Sequence, residues 1–264
     1  MCEVCRGRSE ITRRSGSIMG GSLGSVADDS KLGSPEVRGY WRSWLVTLMF
    51  CVVWFGVTSM AIILTFLVLS LIGISEAFSM HLSISFAYLI SIPLALLFMY
   101  VENLLPDLSG KFSIKSAKQA FVLLLAIPLL VTIVDFIIVI GYGIAYELAF
   151  GVPDVDTDIG VDWSSGPIAL GLVIISTVII APLAEELMFR GYLLDSIRKM
   201  HGERVAIVIS SIIFGLVHIE PYTAGMAAIG GLIYGFVRVR TESLWPSIIG
   251  HMMWNGVALV LTYL

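Results

Sequence analysis

The chain has 264 residues, 57% of them hydrophobic and 14% charged, with a mean hydropathy of +0.92; soluble domains carry about 25% charged residues, so a soluble fold is excluded and a polytopic membrane protein is indicated. Sixteen Lys and Arg against twenty Asp and Glu give a formal charge of −4 with no sustained basic run, which excludes nucleic acid as a partner and a polybasic lipid anchor. Cys2, Cys5 and Cys51 cannot make a disulfide framework: two lie three apart near the N-terminus and the third sits in an apolar run.

Residues 1–42 are rich in Gly, Ser and Arg, lack apolar periodicity and read as a disordered cytoplasmic tail. They hold no signal peptide, since the first apolar run begins only after Arg42 and is too long for an h-region. The Cys2/Cys5 pair has no second pair of ligands and is read as part of the tail, not as a metal site.

Crossing about 30 Å of hydrocarbon takes about 20 helical residues. Residues 43–75 form an uncharged run of 33, too long for a straight span and too short for a hairpin, so a tilted helix ending near Gly73 is expected. Further spans follow at 82–101, at 119–150 with Asp135 inside, from 167 past Glu185, and at 205–219, 222–237 and 244–264. The fold class is thus all-α: a membrane bundle of about seven transmembrane helices. Its organisation is a 1–42 tail, three N-terminal helices over 43–150, and a four-helix core over 151–264.

Lys and Arg collect in short loops on the cytoplasmic side. Seven of the sixteen precede span one, three lie between spans two and three (Lys111, Lys115, Lys118), four flank the four-five turn (Arg190, Arg198, Lys199, Arg204), and Arg238 and Arg240 follow span six. The remaining connections hold none; that at 151–166 carries Asp154, Asp156, Asp158 and Asp162 instead. The N-terminus is therefore expected in the cytoplasm and the C-terminus outside. Trp41, Trp44, Trp163 and Trp245 fall where amphipathic rings favour the interface.

Ionisable groups inside a span cost about 2.5 to 3.5 kcal/mol each on insertion scales, so each marks a functional position. They are Asp135, the Glu185/Glu186/Arg190 group, His218 and His251, the last with Asn255. Glu186 and Arg190 are i,i+4 neighbours on one helix face. Glu185 points about 100° away and needs a partner from another span. Measured from a four-five turn near His201, Glu185 lies sixteen residues before and His218 seventeen after, at matched depth. His251 and Asn255 lie about 15 to 21 Å beyond the six-seven turn, against about 24 Å for Glu185, so the four polar groups can converge in one layer of the bundle, facing a cavity reached from the cytoplasmic half.

A carboxylate removed from water beside an imidazole that can share a water molecule makes a general base for hydrolysis. The second His and the Asn suit a developing oxyanion. No Ser or Cys is spaced with a base as a nucleophile, and Ser210 and Ser211 read as interhelical packing groups. Glu185, His218 and His251 are an alternative zinc set, although the HExxH spacing is absent. Gly231 and Gly235, extended by Ala227, let span six approach a neighbour closely. Pro128 and Pro182 predict kinks. Asp135 has no evident partner in the sequence.

Glu185-Glu186-x-x-x-Arg190, Phe214-x-x-x-His218 and His251-x-x-x-Asn255, in this order on successive apolar segments, resemble the CPBP intramembrane proteases, also called Abi or CAAX-protease-like. The resemblance covers roughly 167–264 and extends to the type II CAAX prenyl endopeptidases. It implies that Glu185 and His218 activate the hydrolytic water, that His251 and Asn255 form the oxyanion hole, and that Glu186, Arg190 and Phe214 support the site. It also implies a glutamate-dependent peptidase without a cofactor, the zinc-dependent form of the same fold being the alternative. The expected partners are membrane lipid and a peptide or lipidated protein substrate, and the expected location is a prokaryotic cell membrane. A non-proteolytic scaffold or immunity protein is the rival from another class.

Overall fold

The computed structural model describes the backbone of residues 35–153 and 166–262, and the side chains of residues 43–153 and 166–261. The Cys2/Cys5 pair, most of the 1–42 tail, the four aspartates of the 151–166 connection, Trp163 and the Trp41 side chain lie outside the described residues. Residues from Arg42 onward belong to one compact unit, and the candidate site lies wholly within it.

The described residues are all helical apart from their connections. The helices are α1 (Pro35–Leu71), α2 (Glu76–Val101), the short α3 (Leu108–Lys111), α4 (Ala117–Phe150), α5 (Pro167–His201), α6 (Glu203–Leu216), α7 (Pro221–Thr241) and α8 (Trp245–Thr262). Five are long and apolar enough to cross a membrane, α1 over Ser43–Leu71 together with α2, α4, α5 and α7. Large apolar side chains cover the outside, with Val52 at 71% and Leu148 at 84% exposure, as expected where lipid rather than water is the solvent. The protein is an integral membrane protein.

Two helices depart from α geometry beside their prolines. Val122–Ala126 in α4 and Ile174–Ile180 in α5 are π turns, and they contain residues 124 and 178, four before Pro128 and Pro182. A proline ring clashes with the carbonyl four residues back, and widening the turn relieves that clash. A second π turn, Leu187–Leu193, follows at once, so the short α segment Ala181–Glu186 that carries both glutamates is bracketed by irregular turns.

α6 stops at Leu216, three residues before the run 205–219 ends, and is 14 residues long, about 21 Å at 1.5 Å per residue. Val217 to Glu220 form a tight turn in which Ile219 has a φ of 64°. His218 thereby sits at a helix end below the full depth of the bundle, beside Glu220, which caps α7 by accepting from the Tyr222 and Thr223 amides at 2.8 and 2.7 Å. Hydrogen bonding from the Thr223 hydroxyl and these amides holds the Glu220 carboxyl below its usual range.

The basic connections gather at one end. Lys111 pairs with Asp195, Arg238 with Asp195 at 3.1 Å, and Arg198 with Glu242 at 2.8 Å and Glu203 at 2.5 Å. The Trp245 indole donates to the Phe112 carbonyl at 3.0 Å, and the Trp44 indole to His201 at 2.8 Å. Arg198 and Arg238 hold the Glu242 carboxyl below its usual range by hydrogen bonding and charge. At the other end Ala77 and Phe78 of α2 pack on Ala169 of α5 with Leu259 of α8, and Tyr222 stacks on Tyr142 of α4.

Candidate active site

The core around which the site is built is a cluster of aromatic and aliphatic side chains from α1, α2, α5, α6 and α8, including Trp54, Phe98, Phe189, Tyr192, Phe214 and Ile248. Trp54 ties α1 to α2 by donating to the Ser91 carbonyl at 3.1 Å, and its ring meets Phe189 edge-on at 5.9 Å. α1 and α2 thus pack against the α5 segment that carries Glu185.

Glu185 finds its partners on other helices, as its helix position requires. Its Oε1 accepts from the Tyr88 hydroxyl at 2.5 Å, and its Oε2 lies 3.8 Å from His251 Nε2. Glu186 is fully buried and meets two partners at once. Its Oε1 lies 2.8 Å from Arg190 Nη1 and 3.0 Å from His251 Nδ1, so one oxygen orients both the guanidinium and the imidazole. The Arg190 guanidinium lies over the Phe214 ring, 4.3 Å from its centroid, a cation–π contact that desolvation strengthens. Phe214 also meets His218 and His251 edge-on at 5.1 and 5.8 Å. It is 2% exposed and fixes the separation of the two imidazoles.

His218 Nδ1 lies 2.8 Å from the Phe214 carbonyl. A carbonyl only accepts, so Nδ1 carries the proton and Nε2 of the neutral ring is left as an acceptor. Asn255 donates from Nδ2 to the Thr177 carbonyl at 2.8 Å, inside the proline-associated π turn of α5, which leaves its second amide hydrogen for another acceptor.

Two cavities meet at His218. One, of about 130 Å³, is lined by Trp54, Thr58, Tyr88, Glu185, Phe189 and His218 among others. The other, of about 280 Å³, holds His218, His251 and Asn255 together with Asp135 and Tyr234. Glu185 and His218, matched in depth by counting from the four-five turn, therefore share one cavity, and His218 with His251 and Asn255 share the next. Among the described residues no three His, Cys, Asp or Glu side chains gather closely enough to hold a metal ion.

Residues 167–257 match the type II CAAX prenyl endopeptidase Rce1-like family. All seven positions of the three sequence motifs, Glu185, Glu186, Arg190, Phe214, His218, His251 and Asn255, fall inside this Rce1-like segment. The chain is also 30% identical over 93 residues to "Putative membrane peptidase YdiL" of Bacillus subtilis (strain 168), an alignment covering 35% of this chain and 38% of that relative. The matched part is well under half of the relative's length. No solved structure matches the chain.

Two side chains at the site are not signalled by the sequence motifs, and one of them, Tyr88, also lies outside the matched segment. Tyr88 comes from α2, 97 residues before Glu185. Tyr234 of α7 stacks on His251 at 5.5 Å and donates to Asp135 at 2.9 Å. A phenol in the middle of an apolar span does signal a buried acceptor, but neither tyrosine is spaced with its acceptor in any local motif.

Proposed function

We propose that the protein is an intramembrane endopeptidase that hydrolyses a peptide bond of a membrane-associated or prenylated CAAX-type substrate reached from the cytoplasmic half. The observation that carries this reading is the meeting of Glu185 and His218 in one cavity, with His218 Nε2 left to accept, inside the segment that matches the Rce1-like family. A water between them gives up a proton to Glu185 or His218 as its oxygen attacks the carbonyl carbon. The carbonyl oxygen becomes an oxyanion that receives the second Asn255 amide hydrogen and a proton donor at His251 Nε2. With Nδ1 donating to Glu186, His251 donates from Nε2 only when both ring nitrogens are protonated. Collapse breaks the C–N bond, and the abstracted proton passes to the departing amine. Glu186, Arg190 and Phe214 hold the imidazoles in place.

The test uses the full-length protein in detergent with a farnesylated CAAX peptide and a panel of membrane peptides, with and without chelator, products being read by mass spectrometry. Glu185→Gln and His218→Ala are expected to lower turnover by at least about a hundredfold, the low end for a general base, with an unchanged thermal midpoint. Undiminished cleavage by Glu185→Gln would overturn the glutamate mechanism, and chelator-sensitive cleavage would favour the zinc-dependent alternative. A folded wild type that cleaves nothing would favour the scaffold or immunity reading.

A further inference from the structure

The larger cavity holds a carboxylate for which the hydrolytic scheme has no use. Asp135 of α4 is 1% exposed, and its Oδ2 accepts from the Tyr234 hydroxyl at 2.9 Å. Its Oδ1 is buried and has no hydrogen-bond partner among the described residues. The backbone opposite is shaped to leave this group room. A Cβ at Gly230 would lie 3.3 Å from Oδ2, tight enough to press on the carboxylate. No Lys or Arg lines the cavity; the nearby Arg190 is paired with Glu186 and lies against the rings of Phe214 and Tyr234. A carboxylate in a membrane interior is costly unless a cation or several donors meet it, and here Tyr234 meets one oxygen only. The same cavity is walled by His218, His251 and Asn255, so whatever meets Oδ1 stands next to the bond those residues would act on.

We infer that Asp135, clamped by Tyr234, is a subsite for a positively charged N–H donor of the substrate, an ammonium group carried by a lysine side chain or a free amino terminus. This rests on the peptidase reading for its place beside the cleaved bond, but its chemistry can be measured without turnover. The full-length protein in detergent is titrated with n-butylammonium and with 1-butanol, its uncharged counterpart, and thermal unfolding is followed at each concentration. The wild type binds the ammonium at least about tenfold more tightly than the alcohol, equivalent to about 1.4 kcal/mol. In Asp135→Asn, which keeps the shape and the Tyr234 bond but not the charge, the ratio falls to near one. Should that variant not fold, Gly230→Ala crowds the carboxylate and must lower the ratio instead. A wild-type ratio near one, or a ratio unchanged in these variants, overturns the subsite.

Peptides carrying lysine or norleucine at each position, with acetylated or free amino termini, then separate the two sources of ammonium by their relative cleavage rates. Ammonium-selective binding by a protein that cleaves no peptide would overturn the peptidase reading and leave the subsite standing. Cleavage without ammonium selectivity in binding would do the reverse.

Discussion

Tyr88 holds one oxygen of Glu185 at 2.5 Å while the other faces His251, so the carboxylate's rotation is set from α2 and not from its own helix. A hydrogen bond to a charged group is worth about 1.5–3 kcal/mol, and each 1.36 kcal/mol is tenfold in rate. Tyr88→Phe removes the donor and keeps the ring. Under the proposed mechanism, kcat should fall about ten- to a hundredfold with KM and the thermal midpoint unchanged, measured on any peptide the wild type cleaves. A loss of stability with kcat per folded molecule intact would make Tyr88 a packing residue only. The contrast with Glu186 explains what a sequence can carry at this scale. Glu186 and Arg190 are four apart on one helix, so helix geometry alone puts them on a shared face. Tyr88 meets Glu185, and Tyr234 meets Asp135, across 97 and 99 residues; no local spacing encodes such pairs, because they depend on how whole helices are rotated against one another.

At the scale of elements, small residues decide how closely helices approach. Gly231 of α7 faces Ser211 of α6, where a Cβ would lie 3.0 Å from the serine Cα, and Gly235 faces Ile207 and Leu194 at 3.4 and 3.5 Å. The close approach read from the Gly231-x-x-x-Gly235 spacing is therefore an α6–α7 contact within one chain. Its counterpart on α6 is Gly215, where a Cβ would lie 2.5 Å from the Ala224 carbonyl oxygen and 2.8 Å from Ala228 Cβ. Backbone cannot swing aside as a side chain can, so Gly215→Ala must push α6 from α7. Overpacking of this kind costs about 1–3 kcal/mol, and the displaced element carries both Phe214 and the turn to His218. The variant should unfold at lower temperature than the wild type, whereas Gly56→Ala, with nothing within 4 Å of its Cβ, should not. Equal midpoints for the two would mean that α6 and α7 are not held at this contact. The prolines illustrate the limit of pattern reading for elements: Pro128 and Pro182 mark where the helices must yield, but the π turns Val122–Ala126 and Ile174–Ile180 are one of several ways to yield, selected by packing. The early end of α6 is similar, since the apolar run continues through Ile219 while the backbone turns at Val217.

For the whole molecule, the arrangement of helix ends bears on how the chain lies in the membrane. The 102–116 connection, the turn at Gly202 and the 242–244 connection meet at one end, through Asp195 with Lys111 and Arg238 and through Trp245 with Phe112. The starts of α2 and α5 and the end of α8 meet at the other. This alternation is the one expected of seven successive crossings, and among the described residues the Lys and Arg other than the buried Arg190 lie at or near the first end, which the positive-inside rule would turn toward the cytoplasm. Among the described residues five helices satisfy the length and hydropathy for a span; α6 is too short to cross alone, which makes the α6–α7 turn the weak point of the count. The expected topology has the amino terminus and the 102–116 connection inside and the 72–75 and 151–166 connections outside. Single cysteines placed at Ser113 and at Gly151, in a background with Cys2, Cys5 and Cys51 replaced by serine, test this with a membrane-impermeant maleimide on intact cells. Gly151 should label from outside and Ser113 only after permeabilisation. Labelling of Ser113 alone would invert the molecule and put the Glu185 cavity in the opposite half of the bilayer. A third cysteine at Glu220 decides the seven-span count, since label reaching it from the side that labels Gly151 is required if α6 and α7 together complete two crossings.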